Sequence, residues 1–175
     1  MHTHSADIIA TLIVLKKEVK RHTKTNIKLT IAGGGEAHLL AKELAAANVG
    51  VILNPVRPFP ASWETRRILP GPPLTEESQI LHLLNHGVTV GIGILESWEA
   101  QNARFDLGWA ALEAGGKISK KQALHLGTVN MFKLLGGDKN WDHIELVATA
   151  GGDLLEFGSK VVAVASSTRG FVDVF

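Results

Sequence analysis

Apolar positions along the chain follow two periods. Ile8, Leu12, Leu15 and Val19 recur at helical spacing, with Ile9 and Ile13 widening the stripe, and predict a helix opening near Ala6 behind a Ser5 cap. Lys16, Lys17, Lys20 and Arg21 crowd its other side and read as a solvated face whose charge suits a helix C-terminus. Asn26 to Ala32 reads as a strand, Glu36 to Ala47 as a helix turning Leu39, Leu40 and Leu44 inward, and Val49 to Leu53 as a second strand. A third helix opens at Thr75, carries Glu76 and Glu77 in its first turn, turns Ile80, Leu81 and Leu84 inward, and stops at His86-Gly87. A strand over Val88 to Leu95 is followed by a helix from Asp106 to Ala114. Ser119 to Gln122 then forms a capping box before a last helix that buries Ala123, Leu124, Phe132 and Leu135. Three strand-like runs close the chain: Ile144 to Thr149, Lys160 to Ser166 and Phe171 to Phe175. Short apolar strands separated by amphipathic helices predict an α/β fold with a mostly parallel sheet and right-handed crossovers. The expected organisation is one α/β domain over residues 1–137 and a β-extension over 138–175.

One segment fits neither period. Asn54 to Leu74 holds all six prolines of the chain. Proline removes backbone donors, so this is neither a helix nor a central strand. Long loops in compact domains are often functional, and this one follows a strand, at the sheet end where ligands bind in parallel α/β proteins.

Composition narrows the function classes. With 18 basic and 17 acidic residues the net charge is +1, which gives no reason to expect nucleic acid. The chain has no cysteine, so disulfides and thiolate metal sites are excluded. No apolar run reaches the length of a membrane span, and the N-terminus lacks the form of a signal peptide; a cytoplasmic location is the default expectation.

Candidate chemistry gathers at the ends of the predicted strands. His2 and His4 would share one face of a strand, as a metal pair requires, but at a terminus where chains fray. Gly33-Gly34-Gly35-Glu36 joins a strand to a helix. It reads either as a tight turn or as a cradle of backbone amides for a carboxylate or phosphate. Arg57, Trp63, Glu64, Arg66 and Arg67 in the long loop suit an acidic or aromatic ligand, or a partner surface. Glu96 and Trp98 would emerge at the same end, and Glu96 is the candidate catalytic carboxylate. His38 and His82 fall on helices and read as ordinary side chains; Gly91 and Gly93 read as points where neighbouring backbone approaches a strand. No G-x-S-x-G elbow is present.

The stretch from His86 to Gly137, with its strand, Trp-containing loop, helix pair and an ending like N-x-A-x-x-L-G around Asn130 to Gly136, resembles the end of the barrel in metal-dependent amidohydrolases of the imidazolonepropionase-like branch. The opening His2-Thr3-His4-Ser5-Ala6-Asp7 is similar to the family's H-x-H-x-A-D segment, and Ile31 to His38 to its next strand. The proline-rich loop and the run GPPLTEES look closer to fungal amidohydrolase-like proteins. The resemblance implies half of a TIM-like barrel, or its rearrangement to a flavodoxin-like layer, followed by a small accessory sheet. It also implies hydrolysis of carbon–nitrogen bonds with zinc or another divalent metal. In the family pattern His2 is a ligand, a histidine stands where this chain has Gly33, and an aspartate stands where it has Leu95. The remaining ligands would lie before Met1. A hydrolytic metal needs about three protein ligands, so this chain alone does not supply them. The expected functions are an amidohydrolase-type enzyme, a non-catalytic binding relative, or a half-barrel completed by another chain. A small-molecule ligand and self-association through exposed sheet edges are the expected partners.

Overall fold

A computed structural model describes residues 1–137 and 145–175. The chain divides into two compact units, Met1–Gly136 and Gly137–Phe175.

The first unit is built on a four-stranded parallel sheet: β1 (His2–Thr3), β2 (Thr30–Gly33), β3 (Gly50–Leu53) and β4 (Val90–Ile92), in that spatial order. Strand order follows chain order with no reversal. A flavodoxin-like layer needs a switch point, so that alternative is set aside and the sheet is the barrel type. The strands are shorter than the apolar runs that predict them. Asn26 to Leu29 precedes the pairing, because β2 is extended only where Ala32 faces His2 and Thr30 faces Gly50. The N-terminus is paired rather than frayed: Met1 carbonyl oxygen accepts from the Ala32 amide at 2.8 Å, and the Gly34 amide donates to Thr3 oxygen at 2.8 Å.

The first helix, α1 (Ala6–Thr23), buries Ala6, Ile9, Ile13 and Lys16, while Ile8, Val14 and Leu15 are exposed. The period is as predicted but the phase is rotated, since this helix is apolar on more than one side. Lys16 is therefore no solvated cation. Its ammonium donates to Asn48 oxygen at 3.0 Å, and burial, with Lys20 nearby, lowers its pKa. The next predicted helix is a 3-10 turn at Ala37–Leu40 followed by α2 (Ala41–Ala46). It buries Ala37, Ala41 and Leu44 and leaves Leu39 exposed.

The helix α3 (Gln79–Asn85) starts later than expected. Ser78, not Thr75, is its cap, accepting from the Leu81 amide. Thr75 Oγ1 instead accepts from the Gly71 amide at 2.8 Å and donates to Glu77 oxygen, closing a turn before the helix. Ile80, Leu81 and Leu83 are the buried positions, so Leu83 takes the place expected for Leu84. After β4 come α4 (Ala103–Glu113), α5 (Lys120–Gly127) and α6 (Val129–Leu134). The Ser119–Gln122 box forms as read. The last helix, however, breaks at Thr128 (φ −124°, ψ −90°). The break redirects its apolar face: Ala123 and Leu126 are buried, whereas Phe132 and Leu135 are exposed.

Helices cover both faces of the sheet. On one face Ala37, Val51 and Leu53 close around Gly34. On the opposite face α6 lays Met131 and Leu134 against Gly50 and Gly91, and Asn130 Nδ2 donates to Val90 oxygen at 2.8 Å. A Cβ on Gly91 would stand 2.6 Å from Met131 Sδ. What approaches Gly91 is thus a helix side chain.

The second unit is an antiparallel sheet of β5 (Glu145–Ala150), β6 (Lys160–Ser166) and β7 (Phe171–Val174) in that order. The predicted strand start at Ile144 lies outside the described residues.

Gly91→Val should lower stability by about 1–3 kcal/mol through overpacking against α6. Urea denaturation of the single variant and of the pair with Met131→Ala checks the contact. The second change is expected to recover part of the loss, and strict additivity would refute the packing.

Candidate functional site

Loops leaving the carboxyl ends of the strands converge on one buried carboxylate. Glu36 is 2% exposed. Its Oε2 accepts from the Ala6 amide at 3.0 Å and from Arg67 Nη2 at 2.7 Å; its Oε1 accepts from Arg67 Nε at 3.0 Å and from the Arg67 amide at 3.4 Å. The Ala6 contact puts a negative charge at the start of α1, where the helix presents unpaired donors and a positive dipole end. Ser5 makes no side-chain cap, so Glu36 does that work from 30 residues away. The Arg67 guanidinium holds the Glu36 carboxyl below its ordinary range, against the opposing effect of burial. Glu36 and Arg67, both read from sequence as ligand-binding, are each other's partners and staple the proline-rich loop to the sheet.

The glycine run is also engaged. The Gly34 amide donates to Thr3 oxygen, the Gly35 amide to His4 Nδ1 at 3.3 Å, and the Glu36 amide to His4 oxygen at 3.0 Å. These three amides are spent on Thr3 and His4, the arrangement of the tight-turn reading. Gly33 and Gly34 have φ of +98° and +67°, which glycine adopts without steric cost.

His2 and His4 do meet, with ring centroids 5.2 Å apart, edge to face. A metal ion held by this pair would need third partners. A Cβ at Gly33 would lie 2.7 Å from Thr3 oxygen, a backbone atom, and the left-handed φ disfavours any side chain there. Leu95 is exposed and only its amide is engaged, donating to Glu99 Oε2 at 2.7 Å. Among the described residues no group of three or more histidine, aspartate or glutamate side chains is placed to hold a metal ion. The residues present do not fit a hydrolytic zinc centre.

Glu96, the predicted catalytic carboxylate, is exposed and caps the 3-10 turn Ser97–Asn102 in a reciprocal box with Glu99. Trp98 lies on that turn and lines a cleft of about 320 Å³ with Arg57, Asp106 and Trp109. On the other side of the loop, Trp63, Arg66 and Arg67 line a cleft of about 420 Å³ with Ser5, Asp7 and Glu36; the Arg66 guanidinium lies 4.8 Å from the Trp63 ring centroid. Trp63 is largely exposed.

Arg57 is the second anchor of the loop. Its Nη1 donates to Asp106 Oδ1 at 2.9 Å, its Nε lies 3.5 Å from Glu113 Oε2, and its guanidinium stacks 4.0 Å from the Trp109 centroid. Glu113 and Trp109 escape the sequence reading because α4 reads as a plain amphipathic helix. Gln79 escapes it too: it is 3% exposed, and its Nε2 donates to Gly34 oxygen while its Oε1 has no partner. Only the chain fold brings it under the loop.

No protein-family model matches the chain. Amidohydrolase tasK of Hapsidospora irregularis is 38% identical to it over 176 residues. The match takes in 91% of this chain, and the chain spans only 17% of that relative's length. The crystal structure of an amidohydrolase from Thermotoga maritima MSB8 matches with a TM-score of 0.68 at 24% identity, over 95% of this chain and 41% of that one.

Glu36→Gln should cost about 1.5–3 kcal/mol, the range for hydrogen bonds to a charged group, in thermal or urea melts. His38 gives a pH dependence. Burial lowers its pKa from 6.5 to about 4, with a smaller push from His82. Below the ordinary histidine pKa the unfolded chain takes up a proton that the folded chain refuses. Stability should therefore fall as pH drops from 6.5 toward 4. Discounted for solvent screening, the loss is about 1–2 kcal/mol, and His38→Gln should flatten that limb.

Proposed function

We propose that this chain, which is amidohydrolase-like in sequence and in fold, serves as a binding module on a hydrolase scaffold and does not complete a hydrolytic metal centre from its own side chains. The observation that carries this is Gly33. It occupies the position where the resemblance expects a ligand, in a backbone conformation and against a carbonyl that leave no room for one. His2 and His4 alone offer two donors where catalysis needs about three and an open position for water. What the chain offers instead is a loop pinned at Arg57 and Arg67, with clefts on either side that suit a small molecule.

A second reading has its own support. The strands β1 and β4 are sheet edges, and the exposed Ile8, Val14 and Leu15 of α1 and Leu112 of α4 are apolar surface of the kind an added layer would cover. On this reading another chain, or a second copy of this one, continues the sheet and brings the missing ligands. Carbon–nitrogen bond hydrolysis then belongs to the assembly.

Zinc content and native mass separate the readings. The purified chain, loaded with excess zinc and then gel-filtered, is expected to retain well under one equivalent and to leave simple carboxamides and cyclic amides unhydrolysed. One retained equivalent that disappears in His2→Ala would overturn the binding-module reading. Sedimentation of a monomer at tens of micromolar would remove the self-association version of the second.

A further inference from the structure

A third cavity, of about 390 Å³, lies beneath the proline-rich loop and contains none of the histidines. Both limbs of the loop, Val56 to Pro60 and Ile68 to Pro70, wall it, with Ile80 of α3 and Glu113 of α4. Its volume falls in the range of small-molecule sites, and its wall is mostly apolar. Two polar groups in that wall are unspent. Gln79 Oε1 is buried and has no hydrogen-bond partner; the amide is fixed because its Nε2 already donates to Gly34 oxygen. Arg57 Nη2 is buried and also without a hydrogen-bond partner. Buried polar groups are nearly always paired, and leaving one unpaired costs about 1–3 kcal/mol. The two stand in the wall of the same cavity, one an acceptor and one a donor.

The walls are held in place by the contacts already described. Arg57 is tied to α4, Arg67 to Glu36, and Pro70 bridges Ser78. Thr65 Oγ1 donates to Phe59 oxygen at 3.0 Å, which braces the loop across its width. Phe59 and Leu74 line the cavity yet are largely exposed, which places them at its mouth.

We propose that this cavity binds a compact neutral carboxamide with an aromatic or branched aliphatic body. The ligand carbonyl accepts from Arg57 Nη2, its N–H donates to Gln79 Oε1, and its apolar body fills the proline- and leucine-lined space. Charge selects against an acid. The Arg57 guanidinium already faces two carboxylates, Asp106 and Glu113, so a third would meet net negative charge. A hydrocarbon of the same shape would leave both polar groups unpaired. The site is independent of the metal question, because His2 and His4 take no part in it.

Calorimetric and NMR titrations with benzamide, benzoate and toluene test this. Benzamide is expected to bind in the submillimolar range and to shift the Gln79 side-chain amide resonances, with benzoate and toluene at least about tenfold weaker. Tenfold corresponds to about 1.4 kcal/mol, the scale of one paired hydrogen bond. Gln79→Leu should lose benzamide binding by a similar factor. Should that variant unfold, Leu74→Trp at the exposed mouth should block entry while leaving the melting temperature unchanged. Benzoate or toluene binding as tightly as benzamide, no benzamide binding at all, or benzamide binding that survives Leu74→Trp would each overturn the proposal.

Discussion

The Glu36 carboxylate is the constraint on which the rest of this unit depends. It is buried, charged, and shared between the first turn of α1 and the far end of the proline-rich loop. A buried carboxylate is tolerated only with several donors around it, and four contacts provide them. Because both of its oxygens are engaged, the glycine turn before it, the helix start beside it and the loop above it cannot shift separately. The clefts along the carboxyl edge inherit their shape from that staple and from its counterpart, Arg57 between Asp106 and Glu113.

This division of labour separates holding from binding. The side chains that sequence reasoning picks as ligand anchors, Glu36, Arg57 and Arg67, are mostly consumed in positioning the loop. In the wall of the cavity beneath the loop, the groups without a hydrogen-bond partner are modest: the Gln79 carbonyl and the Nε and Nη2 of Arg57. A loop rich in proline suits such a scaffold, since it loses little freedom when fixed and has few amide donors to satisfy.

Local signals survived translation into structure better than long-range ones. The Ser119–Gln122 box, the stop at Gly87 and the strand at Val51 depend on neighbours in sequence and were legible there. The phase of α1 was not, because Ile8, Ile9, Leu12 and Ile13 offer two apolar faces and only packing chooses between them. The burial of Lys16 is not local either: its ammonium is held by the carbonyl of Asn48, 32 residues on. The Glu36–Arg67 pair spans 31 positions, and no periodicity announces it. The absence of a histidine at Gly33 was visible in sequence. The lack of room for one was not, since that rests on a backbone angle and a carbonyl from another strand.

That angle has a bearing on which substitutions the turn can take. A position that merely lacks a ligand can regain one by a single codon change. At Gly33 the handedness of the turn would have to be rebuilt first, with the residues after β1 moving aside, before any imidazole gained an advantage. The turn is thereby committed to glycine, and a side chain there trades directly against the pairing of β1 with β2.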